Sequence, residues 1–435
     1  MPTLVETVVC PNEGPSIAAT PPAAVPAPQG AVTTRRLAIQ GGEPAFPRPI
    51  HVGAPNIGDK ERLLRRIEAA LDGRRLSNNG PFVRLFEKRI EDLTGVAHCV
   101  AMCNGTVALE IGARALGLTG EVIVPAFTFV ATAHALAWQG ITPVFGDIDP
   151  QTHCLDPERI AELVTPRTTG ILAVHLWGRP APADRLQEVA REHGLKLMFD
   201  AAHAFGCSRG GRMVGNFGDL EVFSFHATKF LNTAEGGAVV TNDPQLAERV
   251  RLMHNFGFTG LDRVEALGVN GKMNELSAAV GLTSLEHMDE WITVNRVNRA
   301  LWAEALAPLP GVTLRHWGEG DRRNDQYVVC EVDQERAGIS RDGLVEALRA
   351  ENVLARRYFH PGCHRMEPYR SQPPAGGWNL PHTERAAARV MVLPTGTAVT
   401  AGDIARIGEL MAEIMTRGDE VSSLAARRLA REENR

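Results

Sequence analysis

Lysine is the residue this chain has least of among the charged types: its 435 residues hold only Lys60, Lys88, Lys196, Lys229 and Lys272, and arginine carries the rest of the basic charge. No basic run is present and the net charge is -5, so the electrostatic footprint expected of a nucleic-acid binder is missing. The seven cysteines form no CxxC pair, and Cys99 and Cys103 lack a neighbouring histidine pattern, which argues against zinc. Their odd count and scatter fit a reducing compartment. MPTLVETVVC has neither the basic start nor the long apolar stretch of a signal peptide. The most apolar window, 122–138, contains Pro125, Thr128, Thr132 and His134, so it reads as core and not as a membrane span. No repeat occurs, and no GxGxxG follows the first strand-like run, which disfavours a dinucleotide-binding oxidoreductase. A cytoplasmic protein that binds neither membrane nor nucleic acid is expected.

What is present is an alternation. Short apolar runs at 121–125, 141–148, 170–176, 195–200, 221–225 and 237–241 are separated in several places by helical patterns, such as Pro157–Leu163 and Ala183–His193. This predicts an α/β fold with a mostly parallel sheet covered on both faces. Ligands in such sheets bind beyond the carboxyl ends of the strands. The helix-rich stretch from about Leu285, the strand-like 327–332 and the helices near 341–351 and 403–416 suggest a smaller α+β domain. The expected division is a disordered Pro/Ala-rich leader (1–38), a large domain (39–290), a small C-terminal domain (291–417) and a charged tail (418–435), helical or frayed, with its basic residues on a solvated face.

Few residues after those strands carry chemistry. Lys229 lies in SFHATKFLNTAEGG among apolar and small residues. A partly desolvated lysine has a lowered pKa and attacks carbonyls, although the same position suits a counter-ion to phosphate. Asp200 ends the run LKLMFD; a buried acid there either meets a positive partner, such as a pyridinium nitrogen, or caps the next helix. Asn104-Gly105-Thr106 precedes a helix, where backbone N–H groups make an anion site or an ordinary N-cap. Ser224 offers a further hydroxyl. Phe127 and Phe129 offer a stacking face or plain core.

Together these stretches resemble the DegT/DnrJ/EryC1/StrS sugar aminotransferases, which have the aspartate-aminotransferase (fold type I) architecture. The likeness rests on LSNNGPFVRLFE (76–87), CNGTVALE (103–110), VIVPAFTFVATAHA (122–135), FDAAHAFG (199–206), SFHATKFLNTAEGGAVVT (224–241), GVNGKMNELSAAVG (268–281) and RYFHP (357–361). It covers about 39–415. The resemblance implies pyridoxal 5'-phosphate (PLP, alternating with PMP) held by Lys229 through a Schiff base, with Lys229 also shuttling the proton. It implies Asp200 on the pyridine nitrogen, His203 at the phenolic oxygen, Gly105, Thr106 and Ser224 on the phosphate, and Phe129 against the ring. Lys272, with Asn270 and Asn274 in its loop, would reach in from a partner subunit of a homodimer with composite sites. The sugar nucleotide would lie along Asn78-Asn79-Gly80 and near Tyr358 and His360, and His360 serves equally well as a structural histidine. Relatives that dehydrate carry histidine in place of the lysine. SFHATK…EGG resembles the branch that aminates C4 of a nucleotide-linked 4-keto-6-deoxyhexose with glutamate as donor. Amination at C3, or of an aminocyclitol ketone, and a non-catalytic PLP-binding regulator are the alternatives.

Overall fold

The central element is a seven-stranded sheet, seen in a computed structural model that describes residues 35–433 apart from 317, 319 and 375. Its strands are β1 (His98–Met102), β2 (Glu121–Pro125), β3 (Thr142–Gly146), β4 (Thr168–Val174), β5 (Lys196–Asp200), β6 (Leu220–Ser224) and β7 (Gly237–Thr241), in the order β1-β7-β6-β5-β4-β2-β3. Six strands share one direction, while β7 pairs antiparallel with both its neighbours. That reversal positions the site. Because β7 returns beside β6, the connection 225–236 stays at the carboxyl edge of the sheet, and Gly237 pairs with Ser224 and Met102. Lys229 is held in that connection.

The strands are apolar on both sides because both faces are covered. Along β5, Leu197 and Phe199 enter one cluster with Phe86, Trp177 and Phe223, while Met198 enters the other with Leu109, Leu220 and Val222. The covering helices include α1 (Lys60–Asp72), α2 (Pro81–Thr94), α3 (Gly105–Ala115), α4 (Val130–Ala137), α5 (Ala183–Glu192), α6 (Pro244–Met253) and α7 (Glu275–Glu286). The expected helical stretch Pro157–Leu163 is instead two 3-10 turns, 157–159 and 161–163, each too short to close an α-helical ladder.

After the long helix α8 (Met288–Leu306), a three-stranded antiparallel sheet forms from β8 (Val312–Leu314), β9 (Val328–Val332) and β10 (Val390–Leu393), in that order. It packs with α8, α9 (Arg341–Ala350) and α11 (Ala401–Met415) around Trp302, whose Nε1 donates to the Pro394 carbonyl at 2.9 Å; α10 (Pro381–Arg389) leads into β10. The last helix, α12 (Gly418–Glu433), differs from a frayed tail. Val421 and Ala425, four apart on one face, are buried, and Val421 joins the cluster of Leu344 and Leu410. Arg428 on this helix approaches Glu346 at 3.5 Å, so its basic face is only partly a solvated one. At the other end, the Pro/Ala-rich leader falls, through residue 34, outside the described residues, and Leu37 is buried in the same cluster as Trp302.

Candidate active site

At the carboxyl edge of the sheet lies a cavity of about 390 Å³. The strand ends supply it: Gly105 and Thr106 follow β1, Phe129 follows β2, Asp200 ends β5, Ser224 ends β6, and Lys229 follows in the β6–β7 connection. His203 and Tyr358 complete the expected residues that line it.

Burial sets the electrostatics. Desolvation pulls the Lys229 amine down from its ordinary 10.5 to about 8, against the attraction of Asp200. A lysine with that pKa holds a reactive neutral amine within reach of neutral pH. Desolvation pushes the Asp200 carboxyl up, while hydrogen bonds and the Lys229 charge pull it back. Asp200 Oδ1 accepts from the Ala202 N–H at 3.0 Å, so the helix-capping role is real in part; Oδ2 accepts from the Thr132 hydroxyl at 2.8 Å. Each oxygen therefore keeps capacity for a further donor. His203 is neutral, since burial and the nearby Lys229 charge hold it well below its ordinary value. Its Nδ1 accepts the Trp177 N–H at 3.3 Å, so the ring proton sits on Nε2 and can be donated. Trp177 and Phe359 stack on the same imidazole and fix its plane.

The phosphate-like corner is built by α3. Asn104 caps this helix, its Oδ1 accepting from the Val107 N–H at 2.8 Å, which leaves the N–H groups of Gly105 and Thr106 outside the ladder at the cavity wall. A Cβ at Gly105 would meet the Ser224 Cβ at 3.0 Å, a tight contact, so glycine eases the close approach of the helix end to the serine.

Not every expected residue converges here. Phe127 is fully buried and makes edge contacts with His153, Trp177 and Phe359, so it is core; Phe129, 55% exposed, is the aromatic at the cavity. His360 lines an adjoining cavity. Asn79, Asn270 and Lys272 do not line the cavity of their own chain. Lys272 instead donates to Asn255 Oδ1 at 2.7 Å and lies over the Phe256 ring, while Asn270 bridges Asn255. Asn78 and Asn79 both adopt the left-handed conformation at the start of α2.

The lining also includes residues that no motif singles out, Tyr327 and Arg356 among them. The Tyr327 hydroxyl lies 3.4 Å from Lys229 Nζ, and Arg356 stands at the wall with its guanidinium over the Tyr358 ring. Tyrosine's rarity was a usable signal: of three in the chain, Tyr327 and Tyr358 reach this cavity.

A desolvated lysine, an acid at a strand end and a helix N-terminus around one cavity in this sheet define an aspartate-aminotransferase-like, fold type I protein. Residues 58–412 match the model of the DegT/DnrJ/EryC1/StrS aminotransferase family. The chain belongs to that family, and it is an aminotransferase. It is 37% identical over 314 residues to a dTDP-4-amino-4,6-dideoxy-D-glucose transaminase of Shigella dysenteriae, covering 72% of this chain and 85% of that one. The structure of DesI in the presence of its TDP-sugar product matches with a TM-score of 0.86 at 54% identity, over 89% of this chain and 98% of that chain. NtdA of Bacillus subtilis, with the bound cofactor PMP, matches with a TM-score of 0.74 at 27% identity, over 82% of each chain.

The residues present fit the PLP that the family implies. Buried Asp200 keeps acceptor capacity for a cationic ring nitrogen, His203 presents a proton on Nε2, and the Gly105–Ser224 approach forms a cradle that a Cβ would fill.

Proposed function

We propose that this enzyme transfers the amino group of glutamate to C4 of a nucleotide-linked 4-keto-6-deoxyhexose, dTDP-4-keto-6-deoxyglucose being the first substrate to try, in aminodeoxysugar biosynthesis. The observation that carries the chemistry is the lowered Lys229 amine in one cavity with Asp200 and His203. The position of amination is supported by the likeness to a dTDP-4-amino-4,6-dideoxy-D-glucose transaminase and to DesI.

In this reading Lys229 holds PLP covalently, Gly105, Thr106 and Ser224 hold its phosphate, Asp200 its pyridine nitrogen and His203 its phenolic oxygen, with Phe129 against its face. The bound cofactor supplies an electron sink for a carbon that has lost its proton. Lys229 Nζ takes the proton from the α-carbon of glutamate and later returns one to the sugar carbon. Its amine pKa of about 8 suits both tasks, because neither protonation state is strongly preferred near neutrality. Asp200 would keep the ring nitrogen protonated, and the Thr132 and Ala202 hydrogen bonds hold its carboxyl aimed and oppose the upward push of burial. Both half-reactions use one cavity, so ping-pong kinetics follow.

The reading includes a cytoplasmic homodimer. Residues 39–290 would hold the cofactor and 291–417 would form the smaller domain. Asn79, Asn270 and Lys272 would serve the partner's cavity, which accounts for their absence from their own. Tyr358 and His360 would contact the sugar nucleotide.

Mass spectrometry and NMR of the product from dTDP-4-keto-6-deoxyglucose and glutamate test the proposal. A C4 amine is expected. Amination of keto-sugars at C3 only, or of an aminocyclitol ketone only, would sink it. A cofactor absorbance band that no amino donor bleaches would point to a non-catalytic regulator.

A further inference from the structure

The connection 225–236 that carries Lys229 lies outside the sheet, so its buried backbone groups need partners from elsewhere. For the residue just after the lysine those partners are side-chain amides. The Phe230 N–H donates to Gln326 Oε1 at 3.4 Å, and the Phe230 carbonyl accepts from Asn56 Nδ2 at 2.8 Å. Phe230, Asn56 and Gln326 are all buried, and among the described residues neither Phe230 group has a backbone partner. Gln326 holds more than one group. Its Nε2 donates to the His203 carbonyl at 2.6 Å, so a single amide spans the segment of Lys229 and the segment of His203. Asn324 donates to the same carbonyl at 2.9 Å.

Asn56 ties the connection to the smaller sheet. Its Oδ1 accepts from the Thr397 hydroxyl, just past β10, at 2.7 Å, and its backbone carbonyl accepts from Asn232 Nδ2 at 2.9 Å. Earlier on the same segment Gly53 bridges Thr395, and a Cβ on it would lie 3.0 Å from the Thr228 carbonyl oxygen. Each amide faces one donor and one acceptor, which fixes its orientation. An ionised carboxylate in its place would set an oxygen against a carbonyl oxygen. A lysine side chain cannot fix its own amine, because a flexible four-carbon stem separates it from the backbone. An anchored backbone narrows that range, and a reacting group misplaced by about 1 Å can lose roughly a hundredfold in rate.

We propose that Asn56 and Gln326 are positioning residues for Lys229: gripping Phe230 from its two sides, they fix where the lysine amine stands relative to Asp200 and His203. The proposal rests on the reading of Lys229 as the residue that binds PLP. Gln326 sets the separation between the amine and His203, because it is bonded to both segments, while Asn56 holds the connection to the residues after β10. The Tyr327 hydroxyl, next to Gln326 in the chain, meets the Lys229 amine itself at 3.4 Å, so the segment that grips the backbone also reaches the side-chain tip. Neither amide lines the cavity, and both act through the backbone.

The test compares wild type with Gln326→Met, Gln326→Glu and Asn56→Asp in the full chain. The holoenzyme gives kcat and KM for glutamate from the change in cofactor absorbance. Protein freed of cofactor gives the rate at which the Lys229 amine joins the aldehyde of added PLP with loss of water, trapped with borohydride and counted by mass spectrometry. Gln326→Met has a similar length and makes neither hydrogen bond. It should slow the linkage and lower kcat about tenfold or more, with the glutamate KM within about twofold of wild type. Asn56→Asp keeps the acceptor for Thr397 but not the donor to Phe230, and should do the same. Gln326→Glu reproduces the amide only when its carboxyl is protonated and can donate to His203, so its linkage rate relative to wild type should recover as pH falls from about 8 to about 6. Thermal unfolding is followed alongside. Variants that unfold earlier yet keep the wild-type linkage rate and kcat below their transition would show a purely structural role and overturn the proposal, and so would a loss confined to KM. If wild type links PLP at Lys229 but aminates no keto-sugar, the acceptor reading falls, while slowed linkage in the variants still upholds the positioning role. Linkage of PLP in wild type anywhere but Lys229 overturns both.

Discussion

At the scale of single residues, the site's character comes from partly desolvating ionisable groups at the wall of one cavity. Lys229 is the sharpest case. Its folded pKa, about 8, lies below the 10.5 expected of an exposed lysine, so folding the cofactor-free protein disfavours the charged form. That cost is full below pH 8 and fades as pH rises from 8 toward 10.5, where the unfolded chain binds the extra proton and stability climbs. Lys229→Met should therefore abolish transamination and yet stabilise the cofactor-free protein at pH 7 by about 1–3 kcal/mol. Thermal unfolding of both proteins between pH 7 and 10 checks this, and an advantage that grows with pH would contradict it. Thr132→Val is the milder probe. It removes the hydroxyl bonded to Asp200 Oδ2, and about 1–2 kcal/mol of carboxylate stabilisation with it, so turnover should drop roughly tenfold or more with the fold intact. Lys229 and Asp200 were legible in the sequence because a rare lysine and a strand-terminal acid carry their own signal. Tyr327 and Arg356 were not: they belong to strand-like segments some hundred positions further on, and only folding brings them to Lys229.

At the scale of elements, the start of α2 and the start of α7 are tied together by one carboxylate. Buried Glu275 accepts from the N–H groups of Phe82 and Val83 at 2.8 and 3.0 Å, satisfying two of the first-turn donors that Gly80, which has no side chain, cannot cap. Gly80 is there for space, since a Cβ would sit 2.4 Å from the Glu275 carboxyl carbon. Glu275→Ala should lower stability by about 2–4 kcal/mol, seen in denaturant unfolding, because two charge-assisted bonds are lost inside the protein. It should also loosen the Asn78–Asn79 turn and the neighbouring Asn270–Asn274 loop together. The apolar strands were readable to within two or three residues, since runs buried on both faces have an unbroken signature. The direction of β7 was not, because a fully buried strand looks the same in either direction. The 3-10 turns at 157–163 read as a helix because Pro157 after Asp156 imitates a helix start.

At the scale of the whole molecule, the question is what covers an apolar surface that a single chain leaves open. In the loop 256–269, Leu261 is 96% and Leu267 73% exposed, and Phe256, Phe258, Val264 and Val269 are exposed beside them. A cluster of this kind marks an interaction surface. It adjoins Lys272, which is turned to Asn255 and Phe256 and away from its own cavity. In a twofold dimer one patch covers its own copy, and each subunit's loop can reach the other's site. Two inactive variants then report on the arrangement. Lys229→Ala lacks the reacting amine, and Lys272→Ala lacks the residue assigned to the partner's cavity. Mixed after reversible dissociation, half of the random dimers are hybrids, and each hybrid has one site with both lysines. About a quarter of wild-type activity should return to the mixture, as the combinatorics of a closed twofold dimer require. No recovery from subunits that demonstrably exchange would mean that Lys272 serves its own chain. Leu261→Asp with Leu267→Asp should abolish both the dimer, by sedimentation, and the complementation, because charge at the patch centre opposes its burial.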